Sequence, residues 1–294
     1  MSTDTAPAGT LATRAMLVDL TIRQWTARKN DRIVARDVAR QYGADETMGR
    51  YSKDLIGRET LETIHRIATS AAADHRRRTL PWLDSGARIL SSAGYFAYTE
   101  AMRAHSAEWD GAVATFAANY STYVDDARHR LNGLFKGDEY PGQITDRFTF
   151  GYNVLPVPDA SDFRVMLGDA ETERIREAIQ LTTDAALNTA LHDVTDRIVT
   201  VVGHMAERLR NYIVTADGAS GIFRDSLVEN VRSLVEILPT LNLTGNAALT
   251  AVTERMRSEL CATSADTLRA SAAAREHTAA AAEAILKEMV DFVA

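Results

Sequence analysis

At 294 residues, with 46% hydrophobic and 25% charged side chains, the chain has the composition of one or two folded domains, not of a disordered polymer. A formal net charge of −7 argues against a general nucleic-acid coat, because phosphate binding draws on excess Lys and Arg. The single cysteine, Cys261, excludes an intramolecular disulfide framework and a thiolate metal cluster, and reads as a small packing residue.

Residues 1–10 are small and polar and read as a flexible tail without the basic start and apolar core of a secretory signal. Apolar runs stay well short of the roughly 18 residues a bilayer span needs, so the expected location is the cytoplasm. Over residues 11–27, Met16, Leu17, Leu20 and Trp25 alternate with Arg and Asp, which predicts an amphipathic helix. Asn30 and Asp31 offer a cap for a second helix over 33–42, which stops at Gly43. A third, over 59–78, carries Leu61, Ile64, Ile67 and Ala71 at helical spacing and ends before Pro81. Residues 81–92 read as irregular, anchored by Trp82 and Leu83.

Two long helical stretches follow, over 95–134 and 171–212. In the first, Tyr98, Met102, His105, Trp109, Ala112, Phe116, Tyr120, Tyr123, Ala127, Leu131 and Leu134 step by threes and fours, the spacing of a coiled-coil stripe. At about 1.5 Å per residue such a rod would reach roughly 60 Å, with Gly111 marking a bend or a close helix contact. The second repeats the pattern at Leu187, Leu191, Val194, Ile198, Val201, Met205, Leu209 and Tyr212. The short connection predicts that the two rods pack antiparallel. Within it, residues 147–154 and 163–167 are rich in aromatic and β-branched side chains and predict a small β-hairpin tip at about 143–168, with Phe148, Phe150 and Tyr152 on one face. Residues 220–238 form a helix with Leu227, Val231, Leu234 and Leu238 aligned, ended by Pro239. Asn246 caps a last helix reaching 292, whose alanine-dominated part, 270–284, packs closely against a neighbour in this chain or another copy.

The expected fold class is mainly α: an elongated antiparallel helical hairpin or bundle with long coiled-coil-like helices and a small β-hairpin tip. The expected division is a tail (1–10), an N-terminal helical region (11–92), the hairpin with its tip (93–217) and C-terminal helices packed on the hairpin (218–294).

Catalytic constellations are missing from this sequence. It has no Gly-rich phosphate loop, no dinucleotide fingerprint, no His pair with a Glu one turn apart and no nucleophile elbow. The expectation is therefore a non-enzyme without catalytic, cofactor or metal residues. His105, on the stripe, reads as a polar residue fixing helix register ahead of a buried ligand or proton switch. Asp125, Asp126 and Asp217 read as carboxylates on solvated faces. Two candidate partner contacts remain. The first is the basic run Arg76, Arg77 and Arg78 after His75, placed where positive charge opposes a helix dipole and able to meet an acidic partner. The second is the aromatic set Tyr140, Phe148, Phe150 and Tyr152, which either packs on the rods or contacts another molecule.

Several segments together resemble an uncharacterised family of bacteriophage and prophage proteins carrying a domain of unknown function. The matching residues are 51–56, 79–86, 116–120, Leu134 and Phe135 with 138–141, and 154–158 with 162–164. The resemblance covers about 11–167 well and the C-terminal helices by general character, and these packing and turn motifs carry no catalytic residue. It implies a protein often encoded beside a MoxR-type AAA+ ATPase and a von Willebrand A-type protein, acting in the host cytoplasm in assembly or remodelling. The expected function is a non-enzymatic structural or assembly protein that self-associates into a closed homo-oligomer and serves as adaptor or substrate of the ATPase. The alternatives are a membrane-active, pore-forming-like helical protein and a nucleic-acid-binding accessory protein using Arg76, Arg77 and Arg78.

Overall fold

The computed structural model describes residues 11–83, 86–160, 168–215, 218–220 and 223–293. The first expected helix shrinks to one turn, α1 (Leu11–Arg14), and the chain continues as strand β1 (Ala15–Arg23). Branched Val18, Thr21 and Ile22 are stiff at χ1 and suit a pleated surface, and Leu17 and Val18 are buried there. Next come β2 (Arg28–Asn30) and α2 (Arg32–Tyr42), which starts and stops at the expected residues. Asp31 accepts from the amides of Ile33 and Val34 at 3.1 and 3.3 Å, and Gly43 closes the helix at φ 63°, a conformation glycine adopts without Cβ strain. Strand β3 (Ser52–Asp54), a 3-10 turn and α3 (Glu62–Arg78) follow. The segment expected to be irregular holds β4 (Leu80–Pro81) and β5 (Arg88–Ser91). Trp82 is buried there as expected, but Leu83 stands half exposed.

The first long stretch divides into α4 (Tyr95–Ala118) and α5 (Tyr120–Leu131). The break falls at Asn119, whose side-chain amide donates to the Thr115 carbonyl, and not at Gly111. Strand β6 (Thr149–Pro156) occupies the expected tip, but it joins a four-stranded sheet of order β4-β5-β1-β6, in which β1–β5 and β5–β4 are antiparallel. The expected second tip strand, 163–167, and Asp217 lie outside the described residues.

Helix α6 (Asp169–Asn211) is one continuous element of 43 residues. A small ribbon of β7 (Ile213–Thr215) and β8 (Gly218–Ser220) leads to α7 (Ser226–Leu241). Pro239 sits inside α7 and does not end it, since in a last turn only one ladder bond is lost. The last expected helix is broken three times, into α8 (Ala247–Arg255), a π turn (Met256–Leu260), α9 (Ala265–Ala270) and α10 (Ala272–Val293). Asn246 caps α8, and Ser264 starts α9 by accepting from the Thr267 amide.

By compactness the chain forms two units, each with its own core. The first comprises Met1–Asp19, Arg76–Tyr98 and Val154–Ala294. Its centre is α6, whose principal helical partners are α10 and α7. Ala206 of α6 and Ala279 and Ala282 of α10 belong to one buried cluster with Ile198, Met205, Ile285 and Met289. Alanines let two helix axes approach closely, so the alanine-rich stretch has its neighbour within the chain. Arg275, also buried, donates to the Leu268 and Arg269 carbonyls and so satisfies the end of α9. Cys261 is half-buried against the same core, and burial pushes its thiol pKa up.

The second unit comprises Leu20–His75 and Thr99–Asn153. The stripe of the first long stretch supplies its core: Trp109, Phe116 and Ala127 are buried with Ile56, Leu61, Ile64, Ile67, Ile144 and Phe148. The two long stretches therefore serve different cores instead of forming one hairpin core: α6 lies wholly in the first unit and α4, from Thr99 on, in the second.

Candidate functional site

Within the second unit, β2 and β3 pair antiparallel, with Lys29 opposite Lys53 and Asn30 opposite Ser52. Asp31 leaves β2 as the α2 cap and its amide donates to the Tyr51 carbonyl at 2.9 Å. Lys53, with a side chain only 1% exposed, points Nζ at Asp31 Oδ2 (3.4 Å) and Glu139 Oε2 (2.8 Å). It also donates to the Leu134 carbonyl at 2.6 Å. The Glu139 contact is a close ion pair without the alignment of a hydrogen bond, since that oxygen accepts none. Lys136 adds a second ammonium at 3.3 Å from Asp31. Two lysines and two carboxylates balance, which is what allows charge to sit in a dry place.

The titration of these groups follows from the geometry. The Val34 amide, with the two ammoniums and the Ile33 amide, outweighs burial and holds Asp31 down to about 2. Burial alone would lower Lys53, but Glu139 and Asp31 outweigh it and keep the ammonium above its ordinary range. Tyr140, donating to the Leu55 carbonyl at 2.6 Å, is pushed up to about 12 by burial and by the neighbouring Glu139 and Tyr120. Beside this anchor, Asp54 is held by Arg28 at 3.1 Å and Arg58 at 2.7 Å. Two open hollows of about 380 and 420 Å³ share Asp54, Ile56, Gly57 and Arg58.

What the anchor holds is a helix that contributes little to the core. Of the eleven residues of α2 only Ala39 is buried. Ile33, Val38, Tyr42 and, just beyond, Met48 are 59, 46, 77 and 84% exposed. The turn after α2 is nevertheless ordered by its own contacts. Glu46 lies 3.5 Å from Arg36 and 3.4 Å from Arg40, and Asp45 accepts from the Thr47 amide at 2.7 Å. Exposed apolar side chains on a pre-formed helix and turn are the ordinary appearance of a protein contact surface.

The aromatic residues expected to meet a partner lie elsewhere. Phe148 is buried against Trp109 and Phe116, with ring centroids 6.2 and 5.5 Å away. Phe150 is half-buried on Trp109, and Tyr140 stacks on Phe135 at 5.0 Å. Tyr152 is also half-buried. Phe148→Ser is therefore expected to unfold unit two more easily, by about 3 kcal/mol, and not to leave the fold intact. A urea midpoint equal to the wild type would show that the ring is dispensable.

Arg76, Arg77 and Arg78 form the last turn of α3 in the first unit. The carbonyls of Arg76 and Arg77, with that of Thr79, are taken by the guanidinium of Arg197 at 3.0, 2.8 and 2.8 Å. The cation that caps this helix end thus comes from α6. His105 lies 3.7 Å from Asp74 of α3, so it ties two helices together. Asp126 pairs with Arg130 on the exposed face of α5, and Asp125 is exposed. Among the described residues no group of three His, Cys, Asp or Glu side chains is placed to hold a metal ion. No helix among them is long and apolar enough to cross a membrane.

No family model, no curated protein and no solved structure matches this chain. The sequence reading missed both parts of the site. Lys53 sits 22 residues from Asp31 and 81 from Leu134, so no local spacing announces the anchor. The apolar surface of α2 did leave a signal: Val38 and Tyr42 stand one turn apart on a helix that also carries Arg32, Arg36 and Arg40.

Proposed function

We propose that the chain is a non-enzymatic phage or prophage assembly protein that self-associates into a closed homo-oligomer through the α2 surface. In keeping with the family resemblance, it works as adaptor or substrate of a MoxR-type AAA+ ATPase. The observation that carries the reading is the exposed pair Val38 and Tyr42, one turn apart on α2, with exposed Met48 in the turn beyond, on a helix whose cap Asp31 is held by Lys53 and Lys136. The exposed residues of this helix and turn also include Arg32, Arg36, Asp37 and Glu46, so one copy offers charges of both signs to another. That is what a self-complementary contact requires.

The test is absolute mass by light scattering. The wild type is expected at a defined multiple of 32.2 kDa, and the double variant Tyr42→Asp, Met48→Asp at the mass of one chain with an unchanged melting temperature. A wild-type monomer at working concentration would sink the self-association. In that case retention of the wild type, but not the variant, on an immobilised MoxR-type ATPase would leave the adaptor role standing.

A further inference from the structure

The arginines of the first unit mostly have anionic or carbonyl partners. Arg210 is shared by Glu276 and Glu283, Arg255 by Glu259 and Glu288, and Arg269 by Asp225 and Asp266. Arg208 and Arg224 differ. Arg208 donates through Nε to Nε2 of His204 at 3.1 Å and has no carboxylate partner among the described residues. The Arg224 carbonyl accepts from the Leu227 amide, but its guanidinium has no hydrogen bond or ion pair among the described residues. Both line one hollow of about 280 Å³, together with His204, Ser226, Leu227 and Asn230.

Helix spacing explains the convergence. His204 and Arg208 lie one turn apart on α6, Ser226 and Asn230 one turn apart on α7, and α6 packs on α7. None of these lining residues is acidic. The nearest acids on α7 and its cap are engaged elsewhere, Asp225 with Arg269 at 2.6 Å and Glu229 with Arg232 at 3.7 Å. The hollow therefore gathers two guanidinium groups, an imidazole, a hydroxyl and an amide.

Two guanidinium groups without a carboxylate partner among the described residues suit a dianion, and their forked donors match the oxygens of phosphate. The volume exceeds that of a bare ion, and Leu227 gives an apolar wall for a small organic body. We infer that the hollow between α6 and the start of α7 binds a small phosphate monoester. This site is separate from the α2 surface and does not depend on self-association.

Isothermal titration of the whole protein in a chloride buffer, with glycerol 3-phosphate, inorganic phosphate and glycerol as ligands, tests it. Saturable binding of glycerol 3-phosphate, tighter than inorganic phosphate and absent with glycerol, is expected. Arg224→Gln and Arg208→Gln should each weaken it on the order of tenfold while melting as the wild type does. Arg174→Gln, on α6 but paired with Glu171 away from the hollow, should bind as the wild type does. Lack of saturable binding, or undiminished binding in both hollow variants, would overturn the site. Inorganic phosphate binding as tightly as the ester would overturn the monoester assignment.

Discussion

Lys53→Met is expected to lower the stability of the second unit by about 3–5 kcal/mol, because it removes the buried ammonium that Glu139 and Asp31 share and leaves Asp31 with Lys136 alone. Methionine keeps the length of the side chain, so the loss measures charge and not volume. The deficit should be greatest near neutral pH and shrink in acid, as the orphaned carboxylates take up protons. In the wild type the sign is the reverse. Asp31 is held at about 2 against an ordinary 3.8, so its contribution is complete above about pH 4 and disappears as pH falls through that interval. Urea unfolding of both proteins at pH 7, pH 4 and pH 2 checks the pair of statements. A constant difference between the two curves would mean that Lys53 acts by packing alone.

Trp109→Ala is expected to cost about 4–5 kcal/mol, at the upper end for removing a buried aromatic. Its indole is 2% exposed and lies 6.2 and 5.8 Å from the rings of Phe148 and Phe150, so collapse of the space it leaves would have to drag β6 with it. The loss should appear in thermal unfolding of the second unit, with the alanine-faced core around α6 little affected, since that cluster shares no residue with the first. An unchanged melting profile would remove Trp109 from the core.

Much of the second unit was legible in its sequence, and the reason is local chemistry. Asp31 and Gly43 delimit α2 because a side-chain acceptor and a left-handed residue each act within a few positions. The stripe through Trp109, Phe116 and Ala127 is likewise a property of one helix. Residues 11–27 misled because Met16, Leu17 and Leu20 fit a helix, while the pairing that makes them a strand comes from β5, more than seventy positions on. In α6 the large side chains Leu187, Leu191 and Val201 draw the eye, yet Ala186, Ala190 and Val202 are the buried ones. Which face of α6 turns inward is set by α7 and α10, which the spacing within α6 does not contain. Broken helices after Asn246 were hidden in the same way, since Ser264 looks like any other polar residue until its hydroxyl meets the Thr267 amide. The anchor at Lys53 is legible only in three dimensions, being assembled from residues spread over 31–139.

The interleaving of the two units along the chain also sets the order in which they become available to a ribosome. Every residue of the second unit has been made by Asn153, whereas α10, the main partner of α6, is among the last elements made. At about 5–20 residues per second, some seven seconds or more of translation separate the two events. During that time β1, β4 and β5 are present without the helices that cover them, and the second unit, with its anchored helix, is the part of the nascent chain that has a complete core.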